Sequence, residues 1–459
     1  MERGPARGAR TFGIAVAILF VAALAKGLLW SVSLPPLTGP DEIMHVERIQ
    51  DLAFGDRFAP GPRAKLSANV QALKQGTILT TDPWQTSARF YVERALPGQV
   101  GATEQRADSL PPTPSEVDVQ NYGPFTYLPY AIAVRAAGCC AITVQVAVER
   151  AVSALLGALA ALAAVWAARE AGLDRALALA AAIVVALQPM WSQQTAVVTA
   201  DAVELLWATV ILALLCRFAR LRRPGAAVVM LAAIMVGALS KPELVFAVPL
   251  VYVALIPVFF TKTPFWVRFA ALLCGLLSIG IGYVATLRFL ASHASVTQLN
   301  ADLGTFIARW TAGGGQYVRS QVDFLWASFG TGEFGLPDPW VAILRVVALV
   351  AVALAVVALW RGGPAGRFPL LAAALMALLV VVTSVAFDYA AWTVTPGVGV
   401  NLSRYLLPGV APVTVLALAG ARAALGRAGA AVVVAPVVAG AMLVNAAALQ
   451  ALWAHFYVS

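Results

Sequence analysis

Long apolar runs separated by short polar connections dominate the pattern of the chain. The runs are rich in Ala, Val and Leu, and at about 18–25 residues most of them match the length of an α-helix that crosses a bilayer. They predict eleven transmembrane helices, at 11–33, 146–168, 176–195, 202–219, 226–240, 244–260, 268–290, 341–360, 368–387, 404–421 and 429–452. Another apolar stretch, 124–138, is short and begins with a proline. We interpret it as an interfacial or re-entrant segment.

The composition agrees with a chain that lies mostly in lipid. Hydrophobic residues make up 60% of the 459 residues and charged residues only 12%, with a mean hydropathy of +0.80. Soluble domains carry about 25% charged residues, and outer-membrane barrels show alternating segments of roughly ten residues instead of long apolar runs. We therefore predict an all-α polytopic membrane protein. Its four cysteines follow neither a disulfide nor a metal-site spacing.

The net charge of +9 comes from Lys and Arg residues that lie mostly in the connections between apolar runs. This placement is typical of topology determinants and argues against nucleic acid as a partner. With the N-terminus in the cytoplasm and 124–138 not crossing, every cytoplasmic connection is basic: 169–175, 217–223, 262–268, 361–367 and 422–427. If 124–138 crossed the membrane, the cluster at 217–223 would face outward. We therefore expect a multi-pass protein with an uncleaved first span.

Two long segments interrupt the spans, and both fall on the outer side in this topology. The chain then divides into the N-terminus with the first helix, an extracytoplasmic loop with interfacial helices, transmembrane helices 2–7, a second extracytoplasmic loop, and transmembrane helices 8–11. These parts are 1–33, 34–145, 146–290, 291–340 and 341–459. Loops much longer than about 15 residues are usually functional, so we expect a site on the outer face.

The segment after the first span, Gly-Pro-Asp-Glu-Ile-Met-His at 39–45, carries several reactive groups. A proline suits the first turn of a helix, and Asp41 and His45 would share a helix face because they are four residues apart. Together with Glu42 they could accept a proton from an attacking hydroxyl or hold a divalent metal. Alternatively, Asp41 and Glu42 simply favour the start of a helix.

Three further ionisable residues lie beside spans on the outer side. Asp201 precedes a span, where Thr199 could provide an ordinary helix cap. Lys241 and Glu243 lie between two apolar runs. A charge at the membrane edge is a functional hypothesis by default, and Lys241 could hold a lipid-linked phosphate. Alternatively, Lys241 and Glu243 pair with each other to close a turn.

Two later segments complete the candidates. Arg404 and Tyr405 lie where an outer loop enters a span. A guanidinium suits a pair of phosphate oxygens, although Arg and Tyr are also common in the headgroup zone. The segment 327–338 is rich in Gly and aromatic residues and contains Glu333. Its rings could stack on a sugar or anchor the loop at the interface.

The order of these short motifs resembles the bacterial membrane family DUF2142, and the wider pattern resembles the GT-C superfamily of polyprenyl-linked-sugar glycosyltransferases. In chain order the motifs are Pro-Asp-Glu-x-x-His, Pro-Phe-Thr-Tyr-Leu-Pro, a turn from Pro189 to Asp201, Ser-Lys-Pro, Ser-Phe-Gly-x-x-x-Phe-Gly and Arg-Tyr-Leu-Leu-Pro. The chain departs from the family pattern at Ile43-Met44, where small or Pro-like residues are expected, and at Ser403, where a glycine is expected. Neither departure removes a reactive group.

The resemblance implies a GT-C-like bundle of about eleven helices, with a long first extracytoplasmic loop, in the inner membrane of a bacterium. It implies transfer of a sugar from a polyprenyl-phosphate carrier to a cell-envelope glycan or lipid acceptor on the extracytoplasmic face. Asp41 then acts as the base with Glu42 beside it, Asp201 is the second acidic site, and two cations, Lys241 and Arg404, neutralise the leaving phosphate. The remaining substrate contacts would come from His45, Glu243, Tyr405 and Glu333.

Several alternatives stay open at this point. No Asp-x-Asp motif follows the first span, so a divalent metal (Mg²⁺ or Mn²⁺) held by Asp41 and Asp201 is an alternative to metal-free transfer. A transporter or flippase of lipid-linked saccharide predicts charges along a path through the bilayer, whereas nearly all ionisable groups here lie at the ends of spans. A non-catalytic subunit of an envelope-assembly complex predicts that Asp41, Lys241 and Arg404 do not share one pocket.

Overall fold

The computed structural model describes residues 5–34, 39, 42–54, 122–137, 142–260, 263–293, 303–329, 334–361, 364–394 and 402–457. Two of the predicted site residues, Asp41 and Glu333, lie outside the described residues, as does the side chain of Glu243. The roles proposed for these three therefore stay predictions.

Helices make up nearly all of the described chain, which confirms the prediction of an all-α membrane protein. They are α1 (Pro5–Ser33), α2 (Glu42–Phe54), α3 (Pro124–Ala137), α4 (Ile142–Glu170), α5 (Arg175–Leu187), α6 (Pro189–Gln194), α7 (Asp201–Leu221), α8 (Pro224–Ser240), α9 (Leu250–Phe260), α10 (Phe265–His293), α11 (Leu303–Ala327), α12 (Asp338–Arg361), α13 (Pro364–Val394), α14 (Leu402–Leu406) and α15 (Val410–Tyr457). Short 3-10 helices lie at Pro242–Ala247 and Leu407–Gly409, and strand β1 (Ser328–Phe329) pairs antiparallel with β2 (Phe334–Gly335).

Seven helices in the described ranges are long and apolar enough to cross a membrane, and three shorter apolar helices lie at 175–187, 224–240 and 244–256. Every predicted apolar run is largely helical in the structure. The run 404–421 begins in α14 and continues into α15, which also contains the last run, 429–452. The multi-pass character is therefore plain, while the count of about eleven spans stays a prediction.

The predicted span at 176–195 is two helices, not one. Helix α5 starts where the Asp174 carboxylate accepts a hydrogen bond from the amide of Leu177 at 3.0 Å. It ends before Gln188, and α6 begins at Pro189. Proline lacks an amide hydrogen and disfavours a helical conformation at the residue before it, so the chain breaks here.

Helix α15 contains most of the predicted span 404–421 and all of the span 429–452, and it bends sharply between them. Gly426 has φ 71° and ψ −177°, a conformation outside the helix that glycine adopts readily. The bend falls inside the basic connection predicted at 422–427. The sequence therefore placed this turn correctly.

The second predicted outer loop, 291–340, contains a long helix, which the sequence reading did not foresee. Helix α11 covers 25 residues of it, and the β1–β2 pair follows directly. The three glycines at 313–315 favour a loop interpretation because glycine weakens helices. Packing of α11 against α6, α12 and α14 outweighs that local preference.

Small residues allow the helices to approach closely, as is common in membrane bundles. A Cβ atom at Gly27 of α1 would lie 2.9 Å from the Cβ of Ala154 in α4. A Cβ at Gly420 of α15 would overlap the carbonyl oxygen of Leu354 in α12. The helices are thereby fixed so that the end of α1, the starts of α4 and α7, and the end of α8 meet at one end of the bundle.

Candidate active site

Four charged side chains meet at this end of the bundle and form what we call the Asp201 cluster: Asp201, Glu204, Lys241 and Arg404. Asp201 is the first residue of α7, Lys241 follows the last residue of α8, and Arg404 lies in α14. One Asp201 oxygen accepts a hydrogen bond from Lys241 Nζ at 2.5 Å, and the other accepts one from Arg404 Nε at 2.7 Å. Lys241 Nζ also donates to Glu204 Oε2 at 2.5 Å. Three predicted site residues from distant parts of the chain are therefore in direct contact.

Burial differs among the members of the cluster. The Lys241 side chain is fully enclosed, whereas that of Arg404 is 17% exposed. Two cations face two carboxylates, so the cluster has no net charge, as buried charges require. Arg404 is thus the member of the cluster through which a ligand from outside could be contacted.

Thr199 and Arg404 make contacts other than those that the alternative interpretations give them. Thr199 Oγ1 donates to the carbonyl of Gln194 and leaves the start of α7 without a side-chain cap. Lys241 pairs with two carboxylates of α7, and its pairing with Glu243, whose side chain lies outside the described residues, stays an alternative. Arg404 points its Nε inward to Asp201.

A second buried ion pair, the Glu42–Arg150 clamp, lies beside the cluster. Arg150 Nε and Nη2 donate to the two oxygens of Glu42, each at 2.7 Å. The same carboxylate accepts hydrogen bonds from the amides of Val198 and Gly39, at 2.9 and 3.1 Å. Four donors occupy the lone-pair sites of an ionised carboxylate, so the geometry gives Glu42 a positioning role in the described structure.

Arg150 extends the clamp to the end of the first helix. Its Nη1 donates to the carbonyl oxygens of Ser31 and Leu34, at 2.8 and 2.6 Å. The clamp therefore fastens the end of α1, the start of α2 and α4 to one another, and through Val198 it reaches the residues just before Asp201. Asp41 directly precedes Glu42 in sequence.

His45, in α2, is fully buried on the side of that helix that faces α3. Its Nδ1 is 2.7 Å from the hydroxyl of Tyr127, and its ring stacks on Tyr122 with centroids 6.1 Å apart. The next tyrosine of α3, Tyr130, hydrogen-bonds the carbonyl of Thr199 at 3.2 Å. Helix α3, predicted as interfacial, thus forms one wall of the polar region. The predicted role of His45 in substrate binding is not tested by these contacts.

Two buried carboxylates of this region have no counterpart among the sequence candidates. Glu204 belongs to the Asp201 cluster, and Glu149 lies next to Arg150 in α4. Glu149 Oε1 accepts from Gln50 Nε2 at 3.3 Å, and its Oε2 has no hydrogen-bond partner in the described structure. A Glu-Arg pair inside an apolar span is a recognisable signal. The apolar residues around the pair conceal it, because two charges hardly change the average hydropathy of a long run.

A second polar site fastens α11 to the C-terminal part of α13. Asp388 Oδ2 accepts hydrogen bonds from Arg309 Nη2 and from the hydroxyl of Tyr317, the latter at 2.8 Å. Burial and the neighbouring Asp388 carboxylate raise the pKa of Tyr317, so this phenol donates in its neutral form. Nearby, the Tyr405 ring lies 5.8 Å from that of Phe387. Tyr405 therefore packs between this site and the Asp201 cluster.

The described residues contain no group of three or more His, Cys, Asp or Glu side chains arranged to hold a metal. Both oxygens of Asp201 already accept hydrogen bonds from cations. Two cations thus already contact Asp201, and a metal held by Asp201 stays a prediction. Asp41 lies outside the described residues, and a metal held there stays a prediction.

Solved structures similar to the chain include three of the Archaeoglobus fulgidus oligosaccharyltransferase. The form tethered to an acceptor peptide has a TM-score of 0.45 and 15% identity, and the match covers 96% of this chain and 55% of that one. The apo form has a TM-score of 0.46 and 14% identity, and the match covers 95% of this chain and 55% of that one. The complex with Zn and sulfate has a TM-score of 0.43 and 15% identity, with 95% and 52% covered. The chain thus spans about half the length of that protein. A likeness of this degree says nothing about activity.

No match is found among curated proteins. The family described as "Predicted membrane protein (DUF2142)" matches residues 24–452, which is nearly the whole chain. This confirms the family resemblance inferred from the motif order: the chain belongs to the DUF2142 family of membrane proteins.

Proposed function

We propose that the chain is a GT-C-like membrane glycosyltransferase. It transfers a sugar from a polyprenyl-phosphate carrier to a cell-envelope glycan or lipid acceptor on the extracytoplasmic face. The observation that carries the proposal is the direct contact of Asp201 with both Lys241 and Arg404, at the end of the bundle where the Asp41 segment begins. A non-catalytic subunit gives no reason for such groups to meet.

The chemistry of the transfer explains why these groups belong together. A lipid-phosphate sugar is already activated, so the enzyme needs no nucleotide site. As the glycosidic bond to phosphate breaks, negative charge grows on the phosphate, and a fixed cation close to it lowers the barrier. Arg404 is the partly exposed cation of the cluster, and a guanidinium suits a pair of phosphate oxygens. We assign this role to Arg404.

The acceptor hydroxyl must lose a proton as it attacks. We assign that proton to the carboxylate of Asp41, which follows a glycine-proline pair and precedes the clamped Glu42. In this proposal Glu42 and Arg150 hold the start of α2 and so set the position of its neighbour. A base on the face of the sugar opposite the phosphate implies inversion at the anomeric carbon.

The test is a transfer assay on the purified chain with a set of polyprenyl-phosphate sugars and envelope acceptors. We expect Asp41→Asn to lower turnover by about 10²–10⁴-fold because general-base catalysis contributes that much. The matched control is Asp323→Asn, which removes a carboxylate paired with Arg345 outside the cluster. Turnover by Asp41→Asn equal to that of the control would contradict the assignment of the base. Absence of transfer by the wild type with every donor would contradict the proposed function.

A further inference from the structure

An apolar groove with a volume of about 310 Å³ lies at the other end of the bundle from the Asp201 cluster. Helix α7 connects the two places, since it begins at Asp201 and ends just before Arg222. A helix of that length measures about 30 Å. The groove lies between α7, α9 and α13, and every residue that lines it is apolar except Arg222. Its volume is at the lower end of the roughly 300–1,000 Å³ of ligand pockets.

Arg222 stands at the groove in an unusual backbone conformation. Its φ of 51° and ψ of 31° place it in the left-handed region, which residues other than glycine adopt at an energetic cost. Its guanidinium lies 3.9 Å from the centre of the Phe368 ring, another lining residue. Both residues are exposed. The strained turn therefore holds a cation over an aromatic ring at the edge of an apolar surface.

The charges around the groove do not balance. Two arginines earlier in the segment, Arg217 and Arg220, pair with Glu170, at 3.3 and 2.5 Å. Within the ranges that the structure covers, three arginines make no ion pair: Arg222 of the groove, and Arg223 and Arg367, which are next to the lining residues Arg222 and Phe368 in sequence. Helix α13 also starts four residues before Phe368, so the positive end of its dipole points to the same side. The edge of the groove thus carries uncompensated positive charge.

We propose that this groove binds an anionic glycerophospholipid, with one acyl chain in the groove and the phosphate on Arg222. A water-soluble anion would leave the apolar wall of the groove uncovered, whereas an acyl chain would cover it. The surplus of arginines favours an anionic headgroup over a zwitterionic one. Basic pockets between transmembrane helices are known to take anionic lipid headgroups, and arginine donates to phosphate oxygens in pairs. The site is independent of the sugar-transfer proposal because the two ends of α7 are so far apart.

The experiment uses the full chain in detergent and two lipids that carry the same photoreactive acyl chain, a phosphatidylglycerol and a phosphatidylcholine. We expect crosslinks from the phosphatidylglycerol to peptides of α7 and α13, about fivefold above those from the phosphatidylcholine. This ratio corresponds to roughly one basic side chain acting on an anionic lipid. Excess unlabelled phosphatidylglycerol should compete, and excess phosphatidylcholine should not.

Two pairs of variants separate the headgroup from the acyl chain. Arg222→Gly suits the left-handed backbone and removes the guanidinium, so the fivefold preference should fall to about one. Its control, Arg361→Gly, removes an exposed arginine at the end of α12 and should keep the preference. Leu371→Trp fills the groove and should abolish the crosslinks, whereas Leu378→Trp, exposed elsewhere on α13, should not. Equal labelling by both lipids, a preference retained by Arg222→Gly, or unchanged labelling of Leu371→Trp would each overturn the proposal.

Discussion

Lys241 and Arg404 both contact Asp201, but they differ in their freedom to meet a substrate. Lys241 is enclosed and contacts two carboxylates, whereas Arg404 contacts Asp201 and keeps 17% of its side chain exposed. From the sequence alone, both residues are predicted to neutralise the phosphate in the same way. We therefore propose Arg404 as the phosphate ligand, and Lys241 as the residue that holds Asp201 and Glu204 in place.

This difference predicts separable effects of two substitutions. Arg404→Gln removes the partly exposed cation of the cluster, whose charge water can partly replace, so it should destabilise the protein less than Lys241→Met does. It should lower kcat by about 10²–10³-fold through loss of a charge-stabilising donor. Lys241→Met leaves two buried carboxylates with one cation and should destabilise the protein by about 3–5 kcal/mol. Thermal unfolding in detergent together with transfer kinetics checks both. Arg345→Gln, at an exposed pair, is the control and should change neither. If Arg404→Gln unfolds the chain as readily as Lys241→Met does, the division of roles is wrong.

At the scale of elements, the Glu42–Arg150 clamp does the work of a joint. The guanidinium of Arg150, a residue of α4, donates to two carbonyl oxygens at the end of α1 and to the Glu42 carboxylate at the start of α2. Because every donor and acceptor is buried, the joint resists separation more strongly than a surface ion pair. A long loop enters the bundle at this point, and the joint fixes where it enters.

A double-mutant cycle measures this joint. Glu42→Gln and Arg150→Met should each lower the free energy of unfolding by about 3–5 kcal/mol, because each leaves a buried charge unpaired. The double variant should lose less than the sum of the two, since residues in direct contact are coupled. Glu170→Gln serves as the control, because its partners Arg217 and Arg220 are half exposed, and it should cost about 0–1 kcal/mol. Additive losses in the cycle would show that the clamp is not a coupled pair.

At the scale of the whole molecule, charge is distributed unequally between the two ends of the bundle. The Asp201 cluster and the clamp are paired and buried, whereas the opposite end carries the exposed arginines at 217–223. Positive charge collects on the cytoplasmic side of membrane proteins. The asymmetry therefore predicts that the Asp201 cluster faces the extracytoplasmic side.

Cysteine accessibility tests this orientation. In a chain whose four native cysteines are replaced by serine, Asp338→Cys and Arg361→Cys mark the two ends of α12, both at exposed positions. An impermeant maleimide should label Asp338→Cys in intact cells, and Arg361→Cys only after permeabilisation. The reverse pattern would place the arginines outside and remove the basis for an extracytoplasmic active site.

The sequence predicted the helices well because a membrane span is a local, strongly apolar signal. It failed where a few residues have a local preference that differs from that of their neighbours. Pro189 divides a predicted span into two helices, and the glycines of α11 made a helix look like a loop. It also missed Glu149 and Arg150, because two charges inside a long apolar run hardly change its average. The contact between Asp201 and Arg404 joins residues 203 positions apart, and no local pattern contains it. Motif order selected both residues, and packing brought them together.

The Asp201 cluster also has a consequence for biosynthesis. Arg404 is synthesised 203 residues after Asp201, which at about 5–20 residues per second means a delay of roughly 10–40 seconds. During that interval Lys241 is the one cation of the cluster available to balance Asp201 and Glu204, so the nascent bundle holds an excess negative charge where lipid tolerates it poorly. Closure of the bundle around this charge must therefore wait for the C-terminal helices. A chain whose synthesis stops before Arg404 would keep this charge unbalanced and would be open to the quality-control proteases of the membrane.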